Sequence, residues 1–362
     1  MERCRARDYG LEFGDLPVGT QNAITDVPGV KVGHCSTWKG DGELHIGHGP
    51  IRTGITAIVP APDDLFTSKV QAAVHFINGF GKSMGLMQIA EVGTIETPIL
   101  ITNTLNVGRV ADGLLDYLIR DKGLRAPSIN PVVLECNDYF LSDIWGRHLA
   151  KAEVVEALES AAGGRVQEGS IGAGTGTAAY GYKGGVGTSS RLISFEKNRF
   201  VLGALVVTNM GRKEQLVIKG VPAGKLLQEY DPPRELGGSI IFILATDAPL
   251  SVNQLRRLAV RATHGLARTG ASSNHTSGDV VVAFSTARRI PAAADQPVIT
   301  LPELVEQTFI DSFFIAAADA VEEAILNAMF MAETVIGRDG NTLQALPLRK
   351  VRELLQARGV IN

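Results

Sequence analysis

The sequence predicts a protein of the α/β or α+β class, in which helices cover the faces of β-sheets. Two observations carry this prediction. Short apolar runs bounded by glycine and proline have the length of buried strands, and segments with apolar residues at helical spacing lie between several of them. The composition agrees with a large core, because 45% of the residues are hydrophobic and 20% are charged.

The predicted strands are short apolar runs that are bounded by glycine, proline or polar residues. In chain order they cover residues 54–60, 98–102, 131–135, 202–208, 240–245 and 280–285. The helical patterns between them predict helices over residues 69–77, 107–122 and 151–162. A further helix is predicted from the apolar positions between residues 255 and 266, with Ser251 or Asn253 as its N-cap and Gly270 as its stop.

The two predicted helices nearest the C-terminus differ in character. Residues 313–331 are the most apolar late segment, but Asp319, Glu322 and Glu323 interrupt them. We therefore predict a buried helix there and no membrane span. Pro347 is predicted to open the last helix, because proline is favoured in the first turn.

The glycine-rich segment 169–191 invites comparison with a phosphate-binding loop. A dinucleotide site needs a strand before the glycines and a helix after them, and no helix start follows Gly176. Gly81, Lys82 and Ser83 resemble the end of a nucleotide-binding loop, but Phe76 occupies the position where that motif needs glycine. We therefore interpret segment 169–191 as a tightly turned strand pair packed close to another sheet, and we predict no cofactor.

Segment 219–238 has three prolines, mixed charges and little periodicity, and we predict an exposed linker of the kind that is readily cut. It ends at Ser239, which is followed by the apolar run Ile-Ile-Phe-Ile-Leu-Ala. A break before Ser239 would leave a new amino terminus at the start of a strand. An N-terminal nucleophile needs that arrangement.

Histidines suggest two other kinds of site. His45 and His48 have the spacing of a metal-binding pair, with His34 and Asp41 nearby, but a clear third ligand is missing and we predict a solvated loop without metal. His275 lies two residues before Ser277, so a Ser-His-Asp triad is conceivable.

Charge and cysteine content restrict the partners and the location. The net charge is −3 and no basic stripe with aromatic residues is present, so nucleic acid is not an expected partner. Cys4, Cys35 and Cys136 form no closely spaced pair and are odd in number, which favours a reducing compartment. The N-terminal residues lack the apolar core of a secretory signal. We expect a cytoplasmic protein that is not bound to a membrane.

Many short motifs match one family in the same order along nearly the whole chain. They lie at residues 26–34, 96–100, 103–105, 169–187, 237–241, 245–249, 277–279, 283–286 and 322–328. On these motifs the chain resembles the L-aminopeptidase/D-esterase family, which also contains the β-peptidyl aminopeptidases. The resemblance implies a layered α-β-β-α sandwich with mixed sheets in a single large domain of residues 1–362, and a tetramer of processed protomers.

The resemblance also implies self-cleavage between Gly238 and Ser239 into subunits of residues 1–238 and 239–362. Ser239 then becomes the nucleophile at the N-terminus of the smaller subunit. Asn209 falls on the asparagine that stabilises the oxyanion, and Ser277 and Asp279 fall on the pair that assists the nucleophile. Some members that cleave β-peptides have glutamate at the position of Asp279.

Two further residues are assigned to substrate binding by the same resemblance. Glu135 matches the acidic residue that receives the ammonium group of the substrate, and Asn137 lies beside it in the binding region. Cys136 and Tyr139 replace a threonine and a glycine of the family. The implied partners are small peptides, amino-acid amides or esters.

The implied function is the release of small N-terminal residues from such substrates through an acyl-enzyme on Ser239. Two alternatives stay open at the level of the sequence. One is a self-processed acyltransferase that acts on N-acetyl amino acids, and the other is a non-catalytic relative with the same scaffold. The preference for L-, D- or β-amino acids also stays open, as does the choice of the base between the α-amine of Ser239 and the Ser277–Asp279 pair.

Overall fold

The computed structural model describes residues 3–62, 64–227, 230, 232 and 238–362. Its strands are β1 (Lys31–Lys39), β2 (Ile51–Val59), β3 (Ser68–Gly79), β4 (Thr94–Ile95), β5 (Ile99–Asn103), β6 (Val132–Cys136), β7 (Ala178–Ala179), β8 (Tyr182–Lys183), β9 (Val186–Phe195), β10 (Asn198–Asn209), β11 (Gly238–Thr246), β12 (Ser277–Pro291), β13 (Val335–Ile336) and β14 (Thr342–Leu343). Its α-helices are α1 (Leu86–Val92), α2 (Val107–Asp116), α3 (Lys151–Glu159), α4 (Ala223–Leu226), α5 (Val252–Arg268), α6 (Glu306–Met331) and α7 (Leu348–Ala357).

Two mixed sheets form the centre of the molecule. The four-stranded sheet has the order β1-β2-β5-β6, and the six-stranded sheet has the order β4-β3-β12-β11-β10-β9. The pairs β5–β6 and β11–β12 are parallel, and the other neighbours in both sheets are antiparallel. The two short hairpins β7–β8 and β13–β14 lie outside these sheets.

Alternation along the strands separates the hydrophobic layers. In β11, Ile241 and Ile243 join the core between the two sheets, whereas Ile240 and Phe242 join the core that contains α5 and α6. Helices α2 and α3 cover the outer face of the four-stranded sheet. The predicted α-β-β-α sandwich with mixed sheets is therefore confirmed.

Most of the predicted helices are present. The described helices α2, α3, α5, α6 and α7 fall on the predicted segments, and a π-helical turn, Tyr117–Asp121, continues α2. Ser251 is the N-cap of α5, where Gln254 completes a capping box, so that Asn253 lies inside the helix. Gly270 follows the end of α5 with a φ of +98°, which suits glycine.

The predicted helix over residues 69–77 is wrong, because this segment is part of strand β3. Val70, Ala72 and Val74 alternate into the core between the sheets, and Ala73 faces the opposite core. Apolar residues on both faces of a strand imitate helical spacing. Antiparallel pairing with β12 decides the conformation.

The glycine-rich segment forms the predicted turned strand pair as β7 and β8, which pack against the end of β10. The predicted exposed linker is wrong for residues 219–227. This part carries α4, and Val221, Ala223 and Leu227 are buried in the core that contains α5 and α6. Of the remaining linker, residues 228–229, 231 and 233–237 lie outside the described residues.

Candidate active site

Three neighbouring strands bring the predicted catalytic residues to one end of the six-stranded sheet. Ser239 is the second residue of β11, and the antiparallel register with β10 places it opposite Asn209. The parallel register with β12 places Ser239 opposite Gly278, between Ser277 and Asp279. Strand pairing therefore brings Asn209, Ser239 and Gly278 together, although they are far apart in the sequence.

The Ser239 hydroxyl lies beside the peptide bond that precedes it. Its Oγ donates to the carbonyl oxygen of Gly238 at 2.5 Å and accepts a hydrogen bond from the N–H of Gly278 at 3.3 Å. A Cβ atom at position 278 would lie 3.2 Å from this Oγ and 2.9 Å from the carbonyl oxygen of Phe80. Glycine at 278 therefore leaves the space that the Ser239 hydroxyl occupies.

Ser277 and Asp279 form a hydrogen-bonded pair on the strand next to Ser239. Ser277 Oγ donates to Asp279 Oδ1 at 2.5 Å, and the N–H of Ile240 donates to the same oxygen at 3.1 Å. Asp279, although it is shorter than the glutamate that some family members have at this position, therefore reaches Ser277. Burial raises the pKa of Asp279, and the hydrogen bonds from Ser273, Ser277 and the Ile240 N–H oppose that shift.

The side-chain amide of Asn209 is oriented by the glycine-rich hairpin. Its Oδ1 accepts a hydrogen bond from the N–H of Ala178 at 3.0 Å. That bond assigns Nδ2 to the other side of the amide group, where this nitrogen is buried without a hydrogen-bond partner in the described part of the chain. A buried amide donor that is not used within the protein is available to a ligand or to a reaction intermediate.

Glu135 lies in β6 of the other sheet, and the neighbouring Cys136 contacts strands β10 and β11. Cys136 Sγ contacts the carbonyl oxygens of Val207 at 3.5 Å and of Ser239 at 4.0 Å across the gap between the sheets. Glu135 is buried; its Oε1 accepts from the N–H of Lys82 at 3.1 Å, and its Oε2 has no hydrogen-bond partner among the described residues.

Burial raises the pKa of Glu135, and the N–H and the charge of Lys82 oppose that shift. Asn137 is half-buried two residues further on, and its Oδ1 accepts from the N–H of Tyr139 at 2.9 Å. That bond leaves the Asn137 amide nitrogen on the side away from Tyr139.

The histidines are not part of this site. His275 is exposed, and the centroid of its ring lies 6.4 Å from the ring centroid of Phe80. The hydroxyl of Ser277 donates to Asp279 and not to a histidine, so the predicted possibility of a Ser-His-Asp triad is wrong. His45 and His48 are exposed in the loop after β1.

The two residues near that histidine pair are engaged elsewhere. His34 Nδ1 contacts the hydroxyl of Thr56 at 3.0 Å, and Asp41 pairs with Arg52 at 2.6 Å. Within the described ranges, no three acidic, cysteine or histidine side chains form a group that could hold a metal ion.

Main-chain donors are the functional groups that the sequence did not reveal. The N–H groups of Lys82, Ala178 and Gly278 contact Glu135, Asn209 and Ser239, respectively. Every residue except proline has such a group, so no residue type marks it in a sequence. Lys82 follows Gly81, Ala178 lies two residues after Gly176 and the third residue is itself a glycine, so glycine was the available signal.

The family model described as peptidase family S58 matches residues 22–343. The chain belongs to peptidase family S58. Among its curated relatives, β-peptidyl aminopeptidase BapA of Sphingosinicella microcystinivorans is 38% identical over 370 residues, which cover 98% of this chain and 92% of the relative.

Solved structures superpose over nearly the whole chain. The PH0078 protein of Pyrococcus horikoshii is 45% identical with a TM-score of 0.94, and covers 98% of this chain and 99% of its own. The L-aminopeptidase D-Ala-esterase/amidase of Ochrobactrum anthropi is 38% identical with a TM-score of 0.93, and covers 99% of both chains. That structure is described as a prototype for the serine aminopeptidases and as a variant of the Ntn hydrolase fold.

These matches confirm the family, the N-terminal-nucleophile hydrolase fold and the aminopeptidase class that were predicted from the sequence. They support the aminopeptidase interpretation and not the acyltransferase alternative. Among the residues that the structure describes, no helix combines the length and the apolar composition that a membrane span needs.

Proposed function

We propose that this S58 peptidase cuts itself between Gly238 and Ser239, and that Ser239 then releases small N-terminal residues from peptides, amides or esters through an acyl-enzyme. One observation carries the proposal. The hydroxyl of Ser239 lies at the start of a strand, between an amide donor of Asn209 that no described group uses and the hydrogen-bonded Ser277–Asp279 pair.

Self-cleavage begins with attack of Ser239 Oγ on the carbonyl carbon of Gly238. The C–N bond between the two residues breaks, an ester to Oγ forms, and the hydroxyl proton passes to the released amine. Water then hydrolyses the ester, which leaves a carboxylate on Gly238 and a free hydroxyl on Ser239. A Cβ at position 238 would lie 3.2 Å from Ser277 Oγ, so glycine at this position avoids a close contact with the Ser277 hydroxyl.

The new α-amine of Ser239 is the proposed base for substrate cleavage. The pKa of an α-amine is about 7.7–8.0, so it accepts the hydroxyl proton near neutral pH. Ser277 already donates its proton to Asp279, so its oxygen has lone pairs free to accept from the protonated amine. The pair thus holds the ammonium that forms during attack, and Asn209 Nδ2 donates to the oxyanion.

Glu135 accounts for the restriction to free N-termini. The ammonium group of the substrate is the proposed partner of Oε2, because a charge-assisted hydrogen bond is stronger than a neutral one. An internal peptide bond brings no cation, so it would leave the carboxylate unpaired. Asn137, two residues along, is the proposed second contact with the substrate.

We expect Glu135→Gln to lower kcat/KM for alanine p-nitroanilide by about 10- to 100-fold, mainly through KM. A hydrogen bond to a charged group contributes about 1.5–3 kcal/mol, and the ammonium binds before and during the reaction. Glu96→Gln is the matched control, because Glu96 is a buried carboxylate that pairs with Lys69. A fall in kcat with KM unchanged would contradict a role in substrate binding.

The pH dependence of kcat/KM provides a separate prediction. Glu135 must be ionised to bind the ammonium, and burial raises its pKa. The proposed α-amine base, with a pKa of about 7.7–8.0, already lowers activity as pH falls below that range, so protonation of Glu135 should appear as a second loss of activity with a midpoint above the ordinary glutamate value of about 4.3. Initial rates at low substrate concentration, measured across about pH 4–8, follow this loss of activity. If the Glu135→Gln variant shows the same loss at the same pH, the loss is caused by another group.

Mass measurement on purified wild-type protein tests the proposal. Under denaturing conditions we expect two fragments, residues 1–238 and 239–362, in place of one chain of 38.5 kDa. Under native conditions we expect a tetramer of processed protomers. A panel of L-, D- and β-aminoacyl p-nitroanilides and amides then identifies the preferred residue. An intact, inactive chain would favour a non-catalytic relative.

The proposed location is the cytoplasm. Cys35 and Cys136 are buried as thiols, and neither forms a disulfide in the described structure. Disulfides are rare in reducing compartments, so this state supports the proposal. Cell fractionation with a cytoplasmic marker enzyme tests it.

A further inference from the structure

A buried lysine closes the hairpin that orients the Asn209 amide. Lys183 is 0% exposed, and its Nζ donates to the carbonyl oxygens of Gly174 at 2.7 Å and of Gly184 at 2.8 Å. Its ammonium therefore connects Gly174, which lies before the β7–β8 hairpin, to Gly184, which directly follows it. A fully buried lysine is rare, and its burial costs free energy of folding. A specific structural or functional role would explain why Lys183 occupies this position.

The hairpin connects Lys183 to Asn209 through Ala178. In the β7–β8 pair, Ala178 lies directly opposite Lys183, and the N–H of Gly184 donates to the carbonyl oxygen of Thr177 at 3.0 Å. The N–H of Ala178 orients Asn209 Oδ1, while the carbonyl oxygen of Ala178 accepts from the N–H of Met210 at 3.1 Å. Ala178 therefore holds both the side chain of Asn209 and the backbone that follows it.

Lys183 acts together with other hydrogen bonds of the loop, such as those from the N–H of Gly174 to the carbonyl oxygen of Ile171 at 2.8 Å and from Thr177 Oγ1 to the carbonyl oxygen of Gly174 at 3.2 Å. Gly174 and Gly176 have no side chains, and a Cβ at position 176 would lie 2.1 Å from the carbonyl oxygen of Arg52. Glycine-rich backbone has many alternative conformations, so a donor that joins its two ends removes much of that freedom. The Lys183 amine is a donor of this kind.

Asp138 is the nearby counter-charge. Its buried carboxylate accepts from the hydroxyl of Thr53, which in turn accepts from Asn103 Nδ2 at 2.8 Å. Burial lowers the pKa of Lys183, and the charge of Asp138 opposes that shift. Both protonation states of the amine keep at least two N–H groups, which is the number that the two carbonyl oxygens need.

We propose that Lys183 is a positioning residue for catalysis, which acts by closing the hairpin that aims Asn209 Nδ2 at the oxyanion. The inference rests on the proposed role of Asn209. Lys183 touches no reacting atom, so its effect must pass through Ala178 and Asn209. It should therefore appear in kcat and not in KM, because the oxyanion exists only after attack.

A double-mutant cycle tests the proposal. We expect Lys183→Met to lower kcat about tenfold and to change KM less than about twofold, with activity normalised to the processed fraction. In an Asn209→Ala background the same substitution should have no further effect on kcat, because the group that it positions is absent. Ser285→Ala is the control for loss of a buried hydrogen bond in the middle of β12.

The outcomes separate the two proposals. Equal losses of kcat from Lys183→Met in both backgrounds would overturn the positioning role and leave the proposed function intact. An Asn209→Ala variant with wild-type kcat would instead overturn the proposed role of Asn209. If Lys183→Met does not fold, Lys183→Gln keeps an N–H donor with a shorter reach, and the same cycle with that variant decides between the outcomes.

Discussion

Replacement of Ser239 by alanine should give one uncut chain of 38.5 kDa with no measurable peptidase activity. Both effects have the same cause, because the hydroxyl that lies 2.5 Å from the Gly238 carbonyl oxygen is the proposed nucleophile for self-cleavage and for catalysis. Loss of a nucleophile removes the covalent route entirely, so we expect a fall of about 10⁴-fold or more. Denaturing electrophoresis and p-nitroanilide hydrolysis measure the two effects.

The control for this experiment is Ser285→Ala. Ser285 is also a buried serine, and its Oγ donates to the carbonyl oxygen of Ala248 at 2.6 Å, away from the site. This variant should be cut and active as the wild type is. Two fragments from the Ser239→Ala chain would show that another group attacks the peptide bond, and the mechanism proposed above would then be wrong.

Replacement of Asn209 by alanine should lower kcat by about 10²–10³-fold while KM stays close to that of the wild type. Removal of one oxyanion donor has this effect in other acyl-transfer enzymes. The donor here is Nδ2, which is buried and has no partner in the described part of the molecule. Self-cleavage should slow as well, because it passes through the same kind of tetrahedral intermediate.

Asn327→Ala is the matched control for Asn209→Ala. Asn327 is a buried asparagine of α6 whose Nδ2 donates to the carbonyl oxygen of Thr188 at 2.9 Å. Its loss should lower the melting temperature and leave kcat unchanged. A rise in KM with normal kcat for Asn209→Ala would indicate that this amide binds the ground state of the substrate.

Much of the fold could be predicted because apolar periodicity depends on neighbours close in the sequence. It predicted the central strands and most helices, including the buried helix α6 with its acidic residues. It failed for β3, where both faces of the strand are buried, and for residues 219–227, where buried side chains are spaced irregularly. In both segments long-range packing overrides the local pattern.

The sequence by itself determined the family and predicted the residues of the proposed site, because motifs in the right order identify positions without any coordinates. Only the tertiary structure decided how these groups act on one another. Strand register places Asn209 and Gly278 on either side of Ser239, and main-chain N–H groups orient the amide and the carboxylate. Register and amide direction depend on contacts between distant segments, and a list of residue types does not contain them.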